Sequence, residues 1–228
     1  MIRLVFSPDW FFNIDSLFEF FSLIVTVLIS LQAFRTWKFT GEKKYRIVGL
    51  SFASISLSLL FKALTNVTVY NSQTVERTIG RFIVTYHTSY QIYLFIVVLI
   101  VLYRLFFLLG IWGFFNIVYQ SKDRHQLWVT GILLVTIATF LETETLFMFH
   151  IIAAVILGFI VKYYLSICTT RKDRCMKKMA MAFSLLLLSQ ISYIFTSLSA
   201  EMYVVAEAFQ LLGFIFLLVQ YYKTVSKK

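Results

Sequence analysis

Long apolar stretches broken by short polar segments dominate this chain. They predict helical crossings near residues 16–34, 47–69, 85–119, 127–141, 145–167, 179–198 and 203–222. A transmembrane helix needs roughly 20 mostly apolar residues to cross ~30 Å of hydrocarbon. Strands of a membrane barrel alternate apolar and polar with period two. The runs here are continuous, as over 94–102, which selects helices. The one proline, Pro8, precedes the first crossing, so no span is expected to carry a proline kink. The third run is long for a single crossing, and its polar start, from Thr85 to Gln91, is expected to project from the membrane. The expected fold is therefore an all-α membrane protein, a single seven-transmembrane-helix bundle over residues 1–228.

Charge orients that bundle. Arg35, Lys38, Lys43, Lys44 and Arg46 follow the first crossing, and Lys122 and Arg124 follow the third. Arg171, Lys172, Arg174, Lys177 and Lys178 follow the fifth, and Lys223, Lys227 and Lys228 follow the seventh. With seven crossings all of these fall on one face, whereas the other has only Arg3, Arg77 and Arg81, with Asp9, Asp15, Glu76, Glu142, Glu144 and Glu201. The positive-inside rule then puts the N-terminus outside and the C-terminus inside. Splitting the third run at Arg104 would reverse every later loop, which argues against it. The net charge of +10 thus reads as a topology signal, with contacts to anionic lipid, and not as a nucleic-acid footprint. Hydrophobic residues make up 60% of the chain and charged ones 14%, leaving no separate soluble domain in view. The localisation expected is a cell membrane, crossed several times. No cleavable leader is expected, because the first apolar run starts only at Trp10 and is interrupted by Asn13 and Asp15.

The chain also echoes itself. Gly41 to Arg46 followed by Leu50-Ser51-Phe52-Ala53 resembles Arg171 to Lys178 followed by Met181-Ala182-Phe183-Ser184, and Ser58 falls where Ser189 falls. Leu108-Leu109-Gly110 is echoed by Leu211-Leu212-Gly213. This suggests two parallel copies of three helices joined by a fourth, a 3+1+3 internal repeat. Compositional likeness between apolar helices is the competing account.

Candidate chemistry lies inside the apolar runs, where a charge at helix centre costs about 2.5–3.5 kcal/mol on insertion scales. Arg104 sits too deep to reach either interface, as a counter-charge for an acid or an anionic ligand or as a structural ion pair. Glu207 and Glu19 lie in the outer half of their spans, and Lys62 at similar depth, so a Lys62–Glu207 or Lys62–Glu19 pair is expected; snorkelling is the alternative for Lys62. Lys162 is expected to snorkel. His87 and His150 fall in the outer thirds of their helices, as proton sensors or, with no further ligand spacing, a weak haem or metal pair. Tyr86, Tyr90 and Tyr93 share a helix face beside His87, flooring a cavity or forming an interfacial belt. Asn66-Val67-Thr68 matches a glycosylation acceptor by chance position near a helix end. Cys168 and Cys175 have no nearby His and are expected to be inert. The sequence contains no HExxH, GxSxG, Walker loop or paired-Asp motif, so no enzymatic activity, catalytic residue, cofactor or metal is expected.

The blocks Phe34-Arg35 to Leu50-Ser51-Phe52-Ala53 and Val204-Val205-Ala206-Glu207-Ala208-Phe209-Gln210-Leu211-Leu212-Gly213-Phe214 resemble the seven-helix membrane module of small archaeal proteins. The same module is similar to the N-terminal sensor region of some membrane histidine kinases. The resemblance implies a receptor or sensory module for signal transduction. Because no output domain is seen after the last crossing, an inner-face protein partner is expected to supply the output. Retinal proteins are a poor fit, since no lysine lies in the middle of 203–222, and the Pro-Gln pair of small sugar transporters is missing. A small-molecule or ion transporter and an assembly subunit of a membrane complex are the alternative functions.

Overall fold

The structure is a computed structural model that describes residues 7–11, 13–79, 89–119, 124–140, 147–171 and 174–225. Its main elements are α1 (Ile14–Thr40), α2 (Lys43–Ile79), α3 (Ser89–Val118), α4 (Arg124–Phe140), α5 (Phe147–Arg171), α6 (Arg174–Ile194) and α7 (Glu201–Val225). A 3-10 turn, Asp9–Phe11, precedes α1, and another, Phe195–Ser197, ends α6. Among the described residues there is no strand.

Six of these helices are long and apolar enough to cross a membrane. The fourth expected crossing falls on α4, whose apolar part, Val129–Thr139, is shorter than those of the other six. The other helices run past the apolar limits drawn from sequence. α2 begins at Lys43 and continues to Ile79, because neither a Gly nor a Pro breaks the polar segment that follows Val69.

α1, α2, α3, α5, α6 and α7 pack in that order into a closed ring, α7 meeting α1 and α3 meeting α5. α4 lies outside it, mainly on α3. The large apolar side chains of α1, including Leu17, Phe20, Phe21, Leu28 and Leu31, point away from the ring. Its buried stripe is instead Asp15, Glu19, Ser22, Thr26, Ile29, Ala33 and Thr36, at alternating steps of four and three. A helix with lipid outside and polar or small residues inside follows from its solvent: hydrocarbon gives apolar side chains no reason to hide, so interfaces select small and hydrogen-bonding ones. Ser30 Oγ donates to the Gly49 carbonyl at 2.9 Å, Ser56 Oγ to Thr26 Oγ1 at 3.0 Å, and Ser54 Oγ to the Phe106 carbonyl at 3.0 Å. These tie α1 to α2 and α2 to α3.

Glycine allows the tightest crossings. A Cβ on Gly110 of α3 would stand 2.8 Å from the Ser51 carbonyl oxygen of α2 and press on Ile55. A Cβ on Gly213 of α7 would stand 3.3 Å from the Ala182 carbonyl oxygen of α6 and press on Leu186. Gly131 of α4 leaves room for the Trp112 indole. At the turn between α1 and α2, Gly41 takes φ 68° and its N–H reaches the Trp37 carbonyl at 2.8 Å, a left-handed cap that favours glycine.

The turn at Gly41 also gathers charge. Arg35, Lys38, Lys43, Lys44, Arg46, Lys177, Lys178 and Lys223 all lie at this end of the ring, here termed the basic end, most of them exposed. Lys44 pairs with Glu42 at 2.5 Å and Arg46 lies 5.3 Å from the Trp37 ring.

Between the helices the basic half of the ring is filled by Phe52, Phe107, Phe114, Leu157, Phe183 and Phe214. They leave a cavity of about 10 Å³ lined only by apolar side chains, with space for about one water and no polar partner for it.

Backbone contact at Gly110 predicts the cost of filling it. Gly110→Leu should destabilise the bundle by about 1–3 kcal/mol in mixed-micelle unfolding. Gly158→Ala, where nothing lies within 4 Å, should be neutral or slightly stabilising. Equal effects at the two positions would contradict the packing described.

Candidate functional site

The polar stripe of α1 leads from Thr26 through Ser22 to Glu19, and there it meets the most concentrated charge inside the ring. Glu19 is fully buried, Glu207 is 1% exposed and Lys62 is 9% exposed. Lys62 Nζ donates to Glu207 Oε1 and to the Tyr193 hydroxyl at 2.9 Å, and forms an ion pair with Glu19 Oε1 at 3.2 Å. One atom on α2 therefore holds α1, α6 and α7. Two of these oxygens accept N–H groups of the ammonium and the third balances its charge.

The neighbours complete the set. Tyr193 donates its own proton to Glu207 Oε1 at 2.7 Å, which leaves its lone pairs for Lys62. Asn66 Nδ2 donates to Glu19 Oε1 at 2.9 Å. This is the nitrogen that glycosylation would use, so the Asn66 acceptor motif is engaged inside the bundle. The Tyr203 and Tyr103 rings stand 5.6 and 5.9 Å from Lys62 Nζ, within cation–π range. Glu19 Oε2 is buried with no hydrogen-bond partner among the described residues.

A second polar group borders the first. His150 Nδ1 lies 2.8 Å from Gln190 Oε1, and the His150 ring stacks on Tyr193 at 4.7 Å between centroids. Gln210 Oε1 lies 3.4 Å from the Tyr193 hydroxyl, whose proton is already committed to Glu207. Turning that amide over would let Gln210 Nε2, otherwise without a partner among the described residues, donate to Tyr193.

Among the described residues the cluster is covered unevenly. Towards the end opposite the basic one, the 3-10 turn at Asp9–Phe11 lays Phe11 over it, 3% exposed, edge-on to Phe18 and Tyr203 at 5.6 and 6.5 Å. Towards the basic end, the apolar layer of Phe52, Ile55, Phe214 and Leu217 lies roughly 10–15 Å along α2 and α7 at ~1.5 Å per residue.

Of the six residues singled out from sequence, Glu19, Lys62 and Glu207 meet directly, so both expected pairings of Lys62 are present together. Arg104 is buried beside Tyr103 on α3. His150 is buried against Gln190 and Tyr193. His87 lies outside the described residues, as does Tyr86, so a ligand pair between His87 and His150 is not described. Tyr93 is 41% exposed. Among the described residues no group of three His, Cys, Asp or Glu is placed to hold a metal ion. Lys162 is exposed near the basic end of α5.

Tyr193, Tyr203, Tyr103, Gln190, Gln210 and Asn66 were not singled out by sequence reasoning as parts of a site. Gln190 and Gln210 carried a usable signal, since an amide inside an apolar span seeks a partner. Tyr193 and Tyr203 carried none, because tyrosines near span ends read as an interfacial belt. Asp15, read as an end-of-helix charge, is fully buried on the inward stripe one turn from Glu19.

No family model, curated protein or solved structure matches the chain.

Two buried carboxylates around one ammonium make removal of the ammonium costly. Lys62→Met should destabilise the bundle by about 3–5 kcal/mol in mixed-micelle unfolding, because it strands Glu19 and Glu207. Replacing Glu19, Lys62 and Glu207 together by Met should cost much less than the single change. A triple variant less stable than Lys62→Met would show the ionic arrangement to be net stabilising in itself.

Proposed function

We propose that this chain is a non-enzymatic membrane sensory module, crossing the membrane with its N-terminus outside and its basic C-terminal end inside. In this reading the Lys62 cluster is a latch: its state sets the packing of α2 against α1, α6 and α7. The basic end passes that state to a protein partner on the inner side. The observation that carries the reading is the junction of four helices at one ammonium, since a change at one atom then bears on all four.

The uneven cover supports an input from outside. Among the described residues, one aromatic turn lies between the cluster and the outer end, whereas a deep apolar layer separates it from the basic end. A sensor needs only one of those paths. The exposed lysines and arginines at the basic end supply both the orientation argument and a surface for lipid or an acidic partner.

The packing also supports the internal repeat as part of this proposal. At one residue spacing Ser51, Ile55 and Lys62 of α2 fall on Ala182, Leu186 and Tyr193 of α6; at another Arg104 and Gly110 of α3 fall on Glu207 and Gly213 of α7. Gly110 rests on Ser51 and Ile55 as Gly213 rests on Ala182 and Leu186. Continued into α1 and α5, the spacing sets Glu19 against His150. The cluster then combines matching positions of two copies, with α4 as the linker outside the ring. Matched halves around a buried polar site are also what a transporter uses, which makes transport the second reading. Solute-driven flux through proteoliposomes above that of empty vesicles would favour it.

The sensory reading predicts movement at the basic end. With Cys168 and Cys175 replaced by Ser, spin labels at Lys44→Cys and Lys177→Cys in liposomes should report a distance change of about 2 Å or more when Glu207→Gln is added. Helix content should be retained. An unchanged distance distribution in the folded variant would sink the latch.

A further inference from the structure

The groups around Lys62 Nζ have the composition of a recognition site. Three oxygens surround it: Glu207 Oε1 and the Tyr193 hydroxyl accept N–H groups, and Glu19 Oε1 stands 3.2 Å away as an ion-pair partner. The rings of Tyr103 and Tyr203 line the remaining sides at 5.9 and 5.6 Å. Carboxylates supply charge, aromatic faces supply the quadrupole, and the oxygen acceptors specify a nitrogen that still carries protons. Nothing in that set requires the ammonium to be attached to α2.

We propose that this cluster is a binding site for a primary alkylammonium, and that the chain's own Lys62 occupies it as a tethered ligand. The proposal rests on the latch reading above and names the ligand class that would open it. A free primary amine entering beneath Phe11 takes the place of the Lys62 ammonium and releases α2 from α7. Glu19 Oε2 gives the exchange a foothold: it is fully buried beside the ammonium and holds no hydrogen bond among the described residues. An incoming N–H can engage it before Lys62 lets go, so neither cation has to stand in hydrocarbon without a carboxylate. Tethering makes Lys62 a strong competitor, because its effective concentration is in the millimolar range or above. The wild-type site therefore answers only to a ligand with additional contacts or at high concentration. A quaternary ammonium keeps the charge and the ring contacts but offers no N–H, so the three oxygens discriminate against it.

Removing the tether exposes the site to test. Lys62→Ala deletes three methylenes and the nitrogen, the outline of n-propylammonium. In detergent-purified Lys62→Ala, n-propylammonium should raise the melting temperature saturably, on the order of 5 °C at a hundredfold excess over its Kd. Shorter and longer n-alkylamines should give less, and Lys62→Met, whose side chain fills the same channel, should not respond. Trimethylpropylammonium and n-propanol should have no effect on either variant. A response equal for propylammonium and trimethylpropylammonium, or no chain-length optimum, would overturn the proposal. If Lys62→Ala is too unstable to purify, the yield of folded protein from membranes grown with each compound supplies the same comparison, and the same two outcomes decide it. Propylammonium binding that leaves the label distances at the basic end unchanged would retain the amine site and remove the sensory reading. Label movement on Glu207→Gln with no amine binding would do the reverse.

Discussion

The structure depends on the requirement that a charge held in a low-dielectric interior be matched atom by atom. Water would solvate the Lys62 ammonium from every side. Inside the ring, two carboxylates, a phenol and two aromatic faces do so instead. They are brought by several helices, and that requirement fixes which helices are neighbours and at what height they meet. The inward polar stripe of α1, the Asn66 amide on Glu19 and the hydroxyl of Tyr193 follow from the same demand. An apolar core would have specified far less, since a leucine at position 62 would accept any apolar neighbour. The ionic centre costs desolvation and returns a unique arrangement.

Much of the architecture could be read from sequence because lipid imposes a coarse and strict rule. Every backbone group must be satisfied within its own segment, so apolar length translates directly into helices. The six helices long and apolar enough to span were legible on that basis. The apolar part of α4, Val129–Thr139, is shorter, and there apolar length alone says least. Within the site, Glu19, Lys62 and Glu207 stood out because charge is scarce in a span. Their association on one atom followed from depth alone.

What the sequence concealed is equally physical. In a soluble helix the apolar face marks the inside. Here the apolar face of α1 marks lipid, and the interior is read from Ser22, Thr26 and Ala33, which look unremarkable in sequence. Tyrosines are ambiguous in the same way: Tyr93 sits exposed while Tyr193 and Tyr203 line the ionic centre. The burial of Asp15 was not legible, because a helix-end acid and a buried acid occupy the same position in the chain and differ only in rotation about the axis. Rotation, unlike depth, is not encoded by hydropathy in a bilayer.

The glycine seats have a mechanical consequence. Gly110 lies against the Ile55 side chain and the Ser51 carbonyl, and Gly213 against the Leu186 side chain and the Ala182 carbonyl. α2 with α3, and α6 with α7, are therefore closely seated pairs. The contacts of α1 with α7 and of α3 with α5 are sparser. Displacement between the two halves meets least resistance along those two seams, and one of them runs past Glu19 and Glu207.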